Sequence, residues 1–207
     1  MNLHLLPCWL ALTLPVLGAA TVTVRTDGPG HPIPPTLWGV FFEDINLSTD
    51  GGLYPELVRN RSFEDGGTPE HWKITEPPAA AGDFAIDSSR PLNPLNRHSL
   101  RAKLAESAVL ENEGYYGMNI VRGDRYLLRL AARAADGFRG RIRARVVAGT
   151  RELATGEITD VPGSWKEFAL ELTASDGDPK ARLQLHLDGP GTLFLDMVSL
   201  TPLKSWR

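Results

Sequence analysis

The chain has 207 residues, of which 42% are hydrophobic and 23% are charged, and its formal net charge is −3. This length allows one domain of ordinary size together with an additional segment. The slightly acidic balance, with no basic block, argues against a nucleic-acid partner. Cys8 is the one cysteine, so no disulfide can form within the chain.

The first twenty residues have the pattern of a signal peptide. An apolar run over residues 5–16 is followed by the small residues Gly18, Ala19 and Ala20. The run suits a signal peptide and is shorter than the ~20 residues that span a bilayer. We expect residues 1–20 to be removed, a secreted or periplasmic product that starts near Thr21, and no membrane association afterwards. A buried apolar strand or helix is the alternative interpretation.

The next segment has the pattern of one β/α unit. β-Branched residues alternate over residues 21–26, which predicts a strand, and a continuous apolar run over residues 37–42 predicts a strand buried on both faces, as in parallel sheets. A glycine-rich loop follows, and the apolar spacing of residues 53–59 predicts two helical turns.

From Asn60 onward the sequence indicates a β-sandwich. Short alternating runs are separated by loops that are rich in Pro, Gly and Asn, and no long helix is expected. The clearest predicted strands are residues 99–104, 125–133, 139–147, 165–172, 181–187 and 192–200. The proline- and alanine-rich residues 77–81 are expected to form a surface loop.

Several motifs resemble the α-L-arabinofuranosidases of glycoside hydrolase family 51. They occupy residues 39–46, 50–54, 57–64, 91–96, 113–118, 163–166 and 195–200, so the resemblance covers nearly all of residues 21–207. It implies the first β/α unit of a (β/α)8 barrel over residues 21–59 and a jelly-roll, galactose-binding-like sandwich of the carbohydrate-binding-module 4/9 type over residues 60–203. Residues 204–207 would then begin the link to a barrel that is otherwise absent.

The resemblance supplies no catalytic residue. The family retains configuration and uses two glutamates, which such chemistry places about 5–5.5 Å apart. Both belong to later barrel strands that have no counterpart here, and Glu113, although it follows an asparagine, lies in the predicted sandwich. Glu43 and Asp44 are neighbours in the predicted strand and would point to opposite faces. Whether this chain is itself an enzyme is therefore left open.

Candidate sugar-binding residues lie at two places. Glu43 ends the first barrel-like strand, where barrel enzymes keep their sites, and the resemblance implies that it hydrogen-bonds a substrate hydroxyl, with Asn46 beside it. A solvated carboxylate is the alternative for Glu43. Tyr115 and Tyr116 lie between glycines in a loop, where their rings could stack on a sugar. Trp72 and Trp165 are more typical of a core, as their strand-like surroundings indicate.

Two acidic residues are candidate calcium ligands. The resemblance implies a structural Ca2+ where the first and last strands of the sandwich meet, with Glu64 and Asp196 as ligands. Ca2+ takes six to eight oxygens, so backbone carbonyls near Ser62 and residues 96–99 would have to complete the site. The alternative is that both are ordinary hydrogen-bonded acids.

Three functions remain open at this stage. The chain could be the N-terminal, non-catalytic portion of a secreted arabinofuranosidase that is inactive alone. It could instead be a free-standing carbohydrate-binding module for arabinose-containing polysaccharides or oligosaccharides such as arabinoxylan or arabinan. It could also be a purely structural sandwich that supports a barrel and binds no sugar.

Overall fold

The computed structural model describes residues 21–28, 30, 32–37, 39, 41, 43–45, 47–49, 51–76 and 82–204. The expected signal sequence, the loop over residues 77–81 and Asn46 lie outside these residues. The chain divides into two compact units, Met1–Phe42 and Glu43–Arg207. The strands that the described residues form all lie in the second unit.

Within the described residues the regular structure is almost entirely β. One 3-10 helix spans Pro35–Leu37, and no described helix is long and apolar enough to cross a membrane. The strands are β1 (Trp72–Glu76), β2 (Gly82–Asp87), β3 (Ser99–Leu104), β4 (Ser107–Asn112), β5 (Met118–Ile120), β6 (Arg125–Ala135), β7 (Arg141–Ala148), β8 (Arg151–Ile158), β9 (Lys166–Thr173), β10 (Asp178–Asp188) and β11 (Gly191–Pro202).

The strands form two antiparallel sheets. The first sheet has the order β1-β4-β10-β7-β8, and β5 also pairs with β10. The second sheet has the order β2-β3-β11-β6-β9. Most neighbours are not consecutive in sequence, so long connections join the two sheets into a sandwich.

The core lies between the sheets and follows the period of two that strands impose. In β10 the side chains of Leu183, Leu185 and Leu187 are fully buried, while Arg182 and the other alternate residues face outward. Full burial of one such leucine contributes roughly 1.5–3 kcal/mol relative to exposure. The alternating runs therefore set which face of each strand is inside.

The six strands predicted within the sandwich are confirmed, with ends that differ by up to three residues. The sequence reading missed β1, β2, β4, β5 and β8. In β4 the outward-facing Val109 and Glu111 are buried as well as the inward-facing residues. The strand therefore lacks the alternation of buried and exposed positions on which the prediction depends. β5 has three residues, which is too short to show a period.

The predicted β/α unit is not formed by the described residues. Residues 21–26 have no regular structure, Leu37 ends the 3-10 helix, and residues 38, 40 and 42 lie outside the described set. The helix predicted for residues 53–59 is wrong, since this stretch contains turns and irregular chain.

Contacts with the sandwich explain why this stretch is not helical. The N–H of Leu57 donates to the carbonyl of Leu200 at 3.0 Å. The side chain of Glu56 is 2% exposed and accepts hydrogen bonds from the N–H of Val58 (3.0 Å), the N–H of Leu200 (2.9 Å) and the hydroxyl of Ser199 (2.6 Å). The apolar Val58 is buried in the sandwich core instead of on a helix face.

Candidate functional site

Glu43 and Asp44 do not form an acid pair. Glu43 is exposed, and its carbonyl accepts a hydrogen bond from Ser48 Oγ at 3.3 Å. Asp44 Oδ1 accepts hydrogen bonds from the N–H of Thr49 (3.0 Å) and from Ser48 Oγ (3.4 Å). The hydrogen bond from Thr49 is the main cause that lowers the pKa of Asp44. Asp44 therefore closes a local turn, and its neighbour Asn46 lies outside the described residues.

Tyr115 and Tyr116 lie on a tight turn between β4 and β5. The N–H of Gly117 donates to the carbonyl of Glu113 at 3.0 Å. Gly114 and Gly117 have φ values of +67° and +93°. A Cβ at Gly114 would lie 2.6 Å from the carbonyl oxygen of Leu57, so that position has no room for a side chain. The two glycines fix the turn that presents the tyrosines.

The two tyrosine rings have different surroundings. Tyr115 is half-buried against Gly51, where a Cβ would lie 2.5 Å from its ring, and the Arg59 guanidinium lies 6.0 Å from the ring centroid. The side chain of Tyr116 is 69% exposed, and its carbonyl accepts a hydrogen bond from Lys180 Nζ at 2.5 Å. The ring of Tyr115 is therefore packed against neighbouring residues, whereas Tyr116 presents its ring to solvent.

A cavity of about 280 Å3 lies beside Tyr115. Its lining combines that aromatic ring with the charged side chains of Arg59, Arg61 and Asp65 and with the apolar Leu47. This lining is more polar than that of a typical small-molecule site, and its one aromatic ring lies among several hydrogen-bonding groups. The tyrosine turn therefore has a neighbouring cavity with hydrogen-bonding groups.

A larger cavity, of about 600 Å3, lies on the outer face of the second sheet and shares Arg61 with the smaller one. Arg129, Glu167 and Tyr54 also line it. Arg61 Nη1 donates to the hydroxyl of Tyr54 at 3.2 Å, and its guanidinium lies 5.4 Å from the centre of that ring. Sequence reasoning noted Tyr54 only within a motif, because the strands that complete this cavity are distant in sequence.

The predicted calcium ligands Glu64 and Asp196 lie in one polar cluster. Asp196 is fully buried and accepts hydrogen bonds from Asn96 Nδ2 (2.9 and 3.0 Å) and from the N–H of Met197 (2.7 Å). Burial raises the pKa of Asp196 to about 6, and the charge of Glu64 adds to this effect. The hydrogen bonds from Asn96 and Met197 oppose it.

Glu64 is held by His98. Its Oε1 accepts the N–H of His98 at 2.9 Å, and Nδ1 of the same residue lies 2.5 Å from Oε2. Burial would raise the pKa of Glu64, but the hydrogen bonds from His98 outweigh it and the pKa is lowered. Among the described residues, no three or more His, Cys, Asp or Glu side chains form a metal-binding group. Any further oxygen ligands would have to be amides, carbonyls or water.

Asn112 precedes Glu113 and has a structural role. Its side chain is fully buried, Nδ2 donates to the carbonyls of Arg59 (2.9 Å) and His71 (3.3 Å), and Oδ1 accepts the N–H of Arg59 (3.2 Å) and of Gly114 (2.9 Å). These four bonds use the hydrogen-bonding capacity of the amide. Sequence reasoning missed this role, since the partners come from three separate segments.

No protein-family model matches the chain. α-L-Arabinofuranosidase 1 of Arabidopsis thaliana is 35% identical over 90% of this chain, and the extracellular exo-α-L-arabinofuranosidase of Streptomyces chartreusis is also 35% identical over 90%. The chain spans 30% and 22% of the lengths of these two relatives.

A solved structure shows the same similarity in three dimensions. An arabinose-bound α-L-arabinofuranosidase of glycoside hydrolase family 51 superposes with a TM-score of 0.74 at 25% sequence identity. The superposition covers 86% of this chain and 31% of that enzyme. Sequence and structure therefore indicate the same relatives.

Proposed function

The chain matches a part of the α-L-arabinofuranosidases of glycoside hydrolase family 51, and from this premise we propose that its sandwich is a non-catalytic module that binds arabinose-containing polysaccharide. The observation that carries the proposal is the turn with the exposed Tyr116, next to Tyr115 and the 280 Å3 cavity. Exposed aromatic rings beside charged hydrogen-bonding groups suit a sugar, which has apolar C–H faces and a rim of hydroxyls.

Affinity electrophoresis on arabinoxylan tests the binding part of this proposal. The purified chain is expected to be retarded in gels that contain arabinoxylan or arabinan and to run normally in gels that contain unsubstituted cellulose derivatives. Equal mobility in all gels would contradict sugar binding and favour a purely structural sandwich. That second function is supported by the hydrogen bonds of Glu56 and Asn112, which attach the segment before the sandwich to its strands.

The non-catalytic part is tested separately. Because the family resemblance assigns neither of the two catalytic glutamates to a residue of this chain, we expect no hydrolysis of p-nitrophenyl α-L-arabinofuranoside by the purified chain. Turnover that persists after repeated purification would contradict this part and leave the binding proposal intact.

We extend the proposal to Glu43 and Asn46 as groups that hydrogen-bond a sugar hydroxyl. The exposure of Glu43 supports this, because its carboxylate can be reached by a ligand. Glu43→Gln keeps the shape and removes the charge, so a weaker affinity for arabino-oligosaccharides is expected. An unchanged affinity would make Glu43 a solvated carboxylate.

We also propose that the cluster of Glu64 and Asp196 takes Ca2+. The two carboxylates are oxygen ligands of the kind that this cation prefers, and rotation of the Asn96 amide, whose Nδ2 donates to Asp196, would add a third. Asp196 is fully buried, and no ion pair joins it to a basic side chain of the described residues. A bound cation would offset the cost of that buried charge.

We propose export from the cytoplasm as well. The Streptomyces relative is an extracellular enzyme, and residues 1–20 have a signal-peptide pattern. Expression with these residues should give a protein outside the cytoplasm whose first residue is near Thr21, as N-terminal sequencing would show. Retention of Met1 in the exported fraction would contradict cleavage.

A further inference from the structure

Arg133 is a buried cation on the outward-facing side of β6. The residue is 4% exposed, and its guanidinium carbon lies 3.7 Å from the ring centroid of Phe194 on the neighbouring strand β11. The ring of Trp165 lies 5.6 Å from the same carbon. The guanidinium is therefore bordered by two aromatic rings, with which cations interact favourably.

Arg133 lacks the partners that a buried arginine normally has. Its Nε is fully buried without a hydrogen bond, and its side chain forms no ion pair or hydrogen bond with any residue in the described part of the chain. The buried Nε–H calls for an acceptor, since a buried polar group without a partner is costly. Burial, followed by the charge of Arg90, lowers the pKa of Arg133, while Asp87 opposes them.

The surroundings of Arg133 are rich in positive charge. Arg101 of β3 pairs in register with Phe194 from the other side, and its Nε is also buried without a partner. Its Nη2 donates to Asp83 at 2.7 Å. Arg90 comes from the β2–β3 connection, and its carbonyl accepts a hydrogen bond from Trp165 Nε1 at 2.9 Å. The three arginines outnumber the two nearby aspartates.

We propose that Arg133, beside Trp165 and Phe194, is a receptor for the carboxylate of a uronic acid residue in a plant polysaccharide. A guanidinium presents parallel N–H groups that match a carboxylate in a bidentate pair. The half-buried ring of Trp165 suits the C–H face of the same sugar, whereas a neutral arabinose would leave the cation without an anionic partner. Arg90, which is exposed, lies at the outer edge of the site.

This inference rests on the proposed function in one respect, which is that the ligand is a carbohydrate. It concerns other residues, because the tyrosine turn belongs to the connection between β4 and β5, whereas Arg133 and Phe194 belong to the second sheet. The two sites can therefore be disabled separately. An acidic peptide is the other ligand with a carboxylate, and the experiment includes it.

Binding of the purified chain to glucuronoxylan, and to the same polymer after chemical reduction of its carboxyl groups, tests the proposal. The wild type should bind the reduced polymer roughly tenfold or more weakly, because a hydrogen-bonded charge pair is lost. Arg133→Met, which keeps the length of the side chain, should bind both polymers with the same low affinity. Arg133→Lys should recover part of the difference, since it restores charge without the bidentate geometry.

The outcomes separate this site from the tyrosine turn. Arg133→Met should leave affinity for neutral arabinan unchanged, and Tyr116→Ala should leave the ratio between native and reduced glucuronoxylan unchanged. Equal binding of both polymers by the wild type would overturn the proposal, and this comparison does not depend on the folding of a variant. Stronger binding of a polyglutamate peptide than of glucuronoxylan would also overturn it, in favour of a protein ligand.

Discussion

The carboxylate of Glu56 accepts a hydrogen bond from the N–H of Leu200, 144 positions later in the chain, at 2.9 Å. The same carboxylate also accepts the N–H of Val58 and the hydroxyl of Ser199. A buried acid with three donors anchors the segment before the sandwich to its last strand. Without this carboxylate, the N–H groups of Val58 and Leu200 would lose their acceptor.

Glu56→Gln is therefore expected to destabilise the fold by about 1–2 kcal/mol, because the amide oxygen can still accept the two N–H groups, whereas the amide nitrogen replaces the oxygen that accepts the Ser199 hydroxyl and lies 3.6 Å from Arg61 Nη1. The free energy of unfolding from urea titration gives the measurement. Glu106→Gln is the matched control, since Glu106 is exposed, and it should change stability by less than ~0.5 kcal/mol. Equal effects of both changes would contradict an anchoring role for Glu56.

Tyr116→Ala should weaken binding to arabinoxylan by roughly three- to tenfold without affecting stability, as expected for an exposed ring that contributes only to a contact. Tyr115→Ala should lower both affinity and melting temperature, because its ring packs against Gly51. Leu95→Ala removes another highly exposed apolar side chain and serves as the control. The proposal for the turn fails if Leu95→Ala and Tyr116→Ala weaken binding equally.

Gly114→Ala and Gly123→Ala separate steric conflict from backbone strain. Both glycines have positive φ, +67° and +83°, but a Cβ at Gly123 would meet nothing within 4 Å, whereas one at Gly114 would lie 2.6 Å from the Leu57 carbonyl oxygen. We expect a loss of about 1 kcal/mol for Gly123→Ala and roughly 2–4 kcal/mol for Gly114→Ala. Similar losses in thermal unfolding would contradict the close packing at Gly114.

Saturating Ca2+ should raise the melting temperature by about 5–10 °C relative to a chelator, the size expected for a ligand present at a hundred times its dissociation constant. Mg2+ is the control cation and should have a much smaller effect, because it demands tighter octahedral geometry. Asp196→Asn should abolish the response. A wild-type melting temperature that is the same with Ca2+ and with chelator would refute the site.

The stability of the chain in chelator should depend on pH through Asp196. Its pKa in the folded state is about 6, above the ordinary value of 3.8, so the folded state favours the protonated acid. The stabilising contribution is complete below pH 3.8 and is lost as the pH rises through 6. Subtracting the pH profile of Asp196→Asn from that of the wild type should reveal a loss of roughly 2–3 kcal/mol between pH 4 and 7. A flat difference would contradict the raised pKa.

Alternation predicted the main strands because one face of each is buried, as Leu183 and Leu185 in β10 illustrate. The same reasoning failed for residues 53–59, where the Leu200 carbonyl and the Asn112 amide oxygen, from distant parts of the chain, accept the N–H groups of Leu57 and Arg59 in an irregular segment. Helical spacing in the sequence carries no information on such partners.

The candidate sites also differ in whether they could be predicted from the sequence. Tyr115 and Tyr116 could be selected from sequence, because flanking glycines mark a turn. The environment of Arg133 could not, because it depends on the strand register that places Phe194 opposite it. Pairing between β6 and β11 is set by the whole sandwich and is not visible in either strand alone.

The chain enters the sandwich at Leu57, which hydrogen-bonds to Leu200 in the last strand, and leaves it after Leu203, whose N–H donates to the carbonyl of Arg125. Entry and exit are therefore adjacent, although the intervening chain forms all eleven strands described. If the sandwich were inserted into another fold, its two connections, near Leu57 and Leu203, would lie as close together as the ends of a short loop. Insertion at a surface turn then adds little to the entropy of closing that turn, which is the geometry that domain insertion tolerates best.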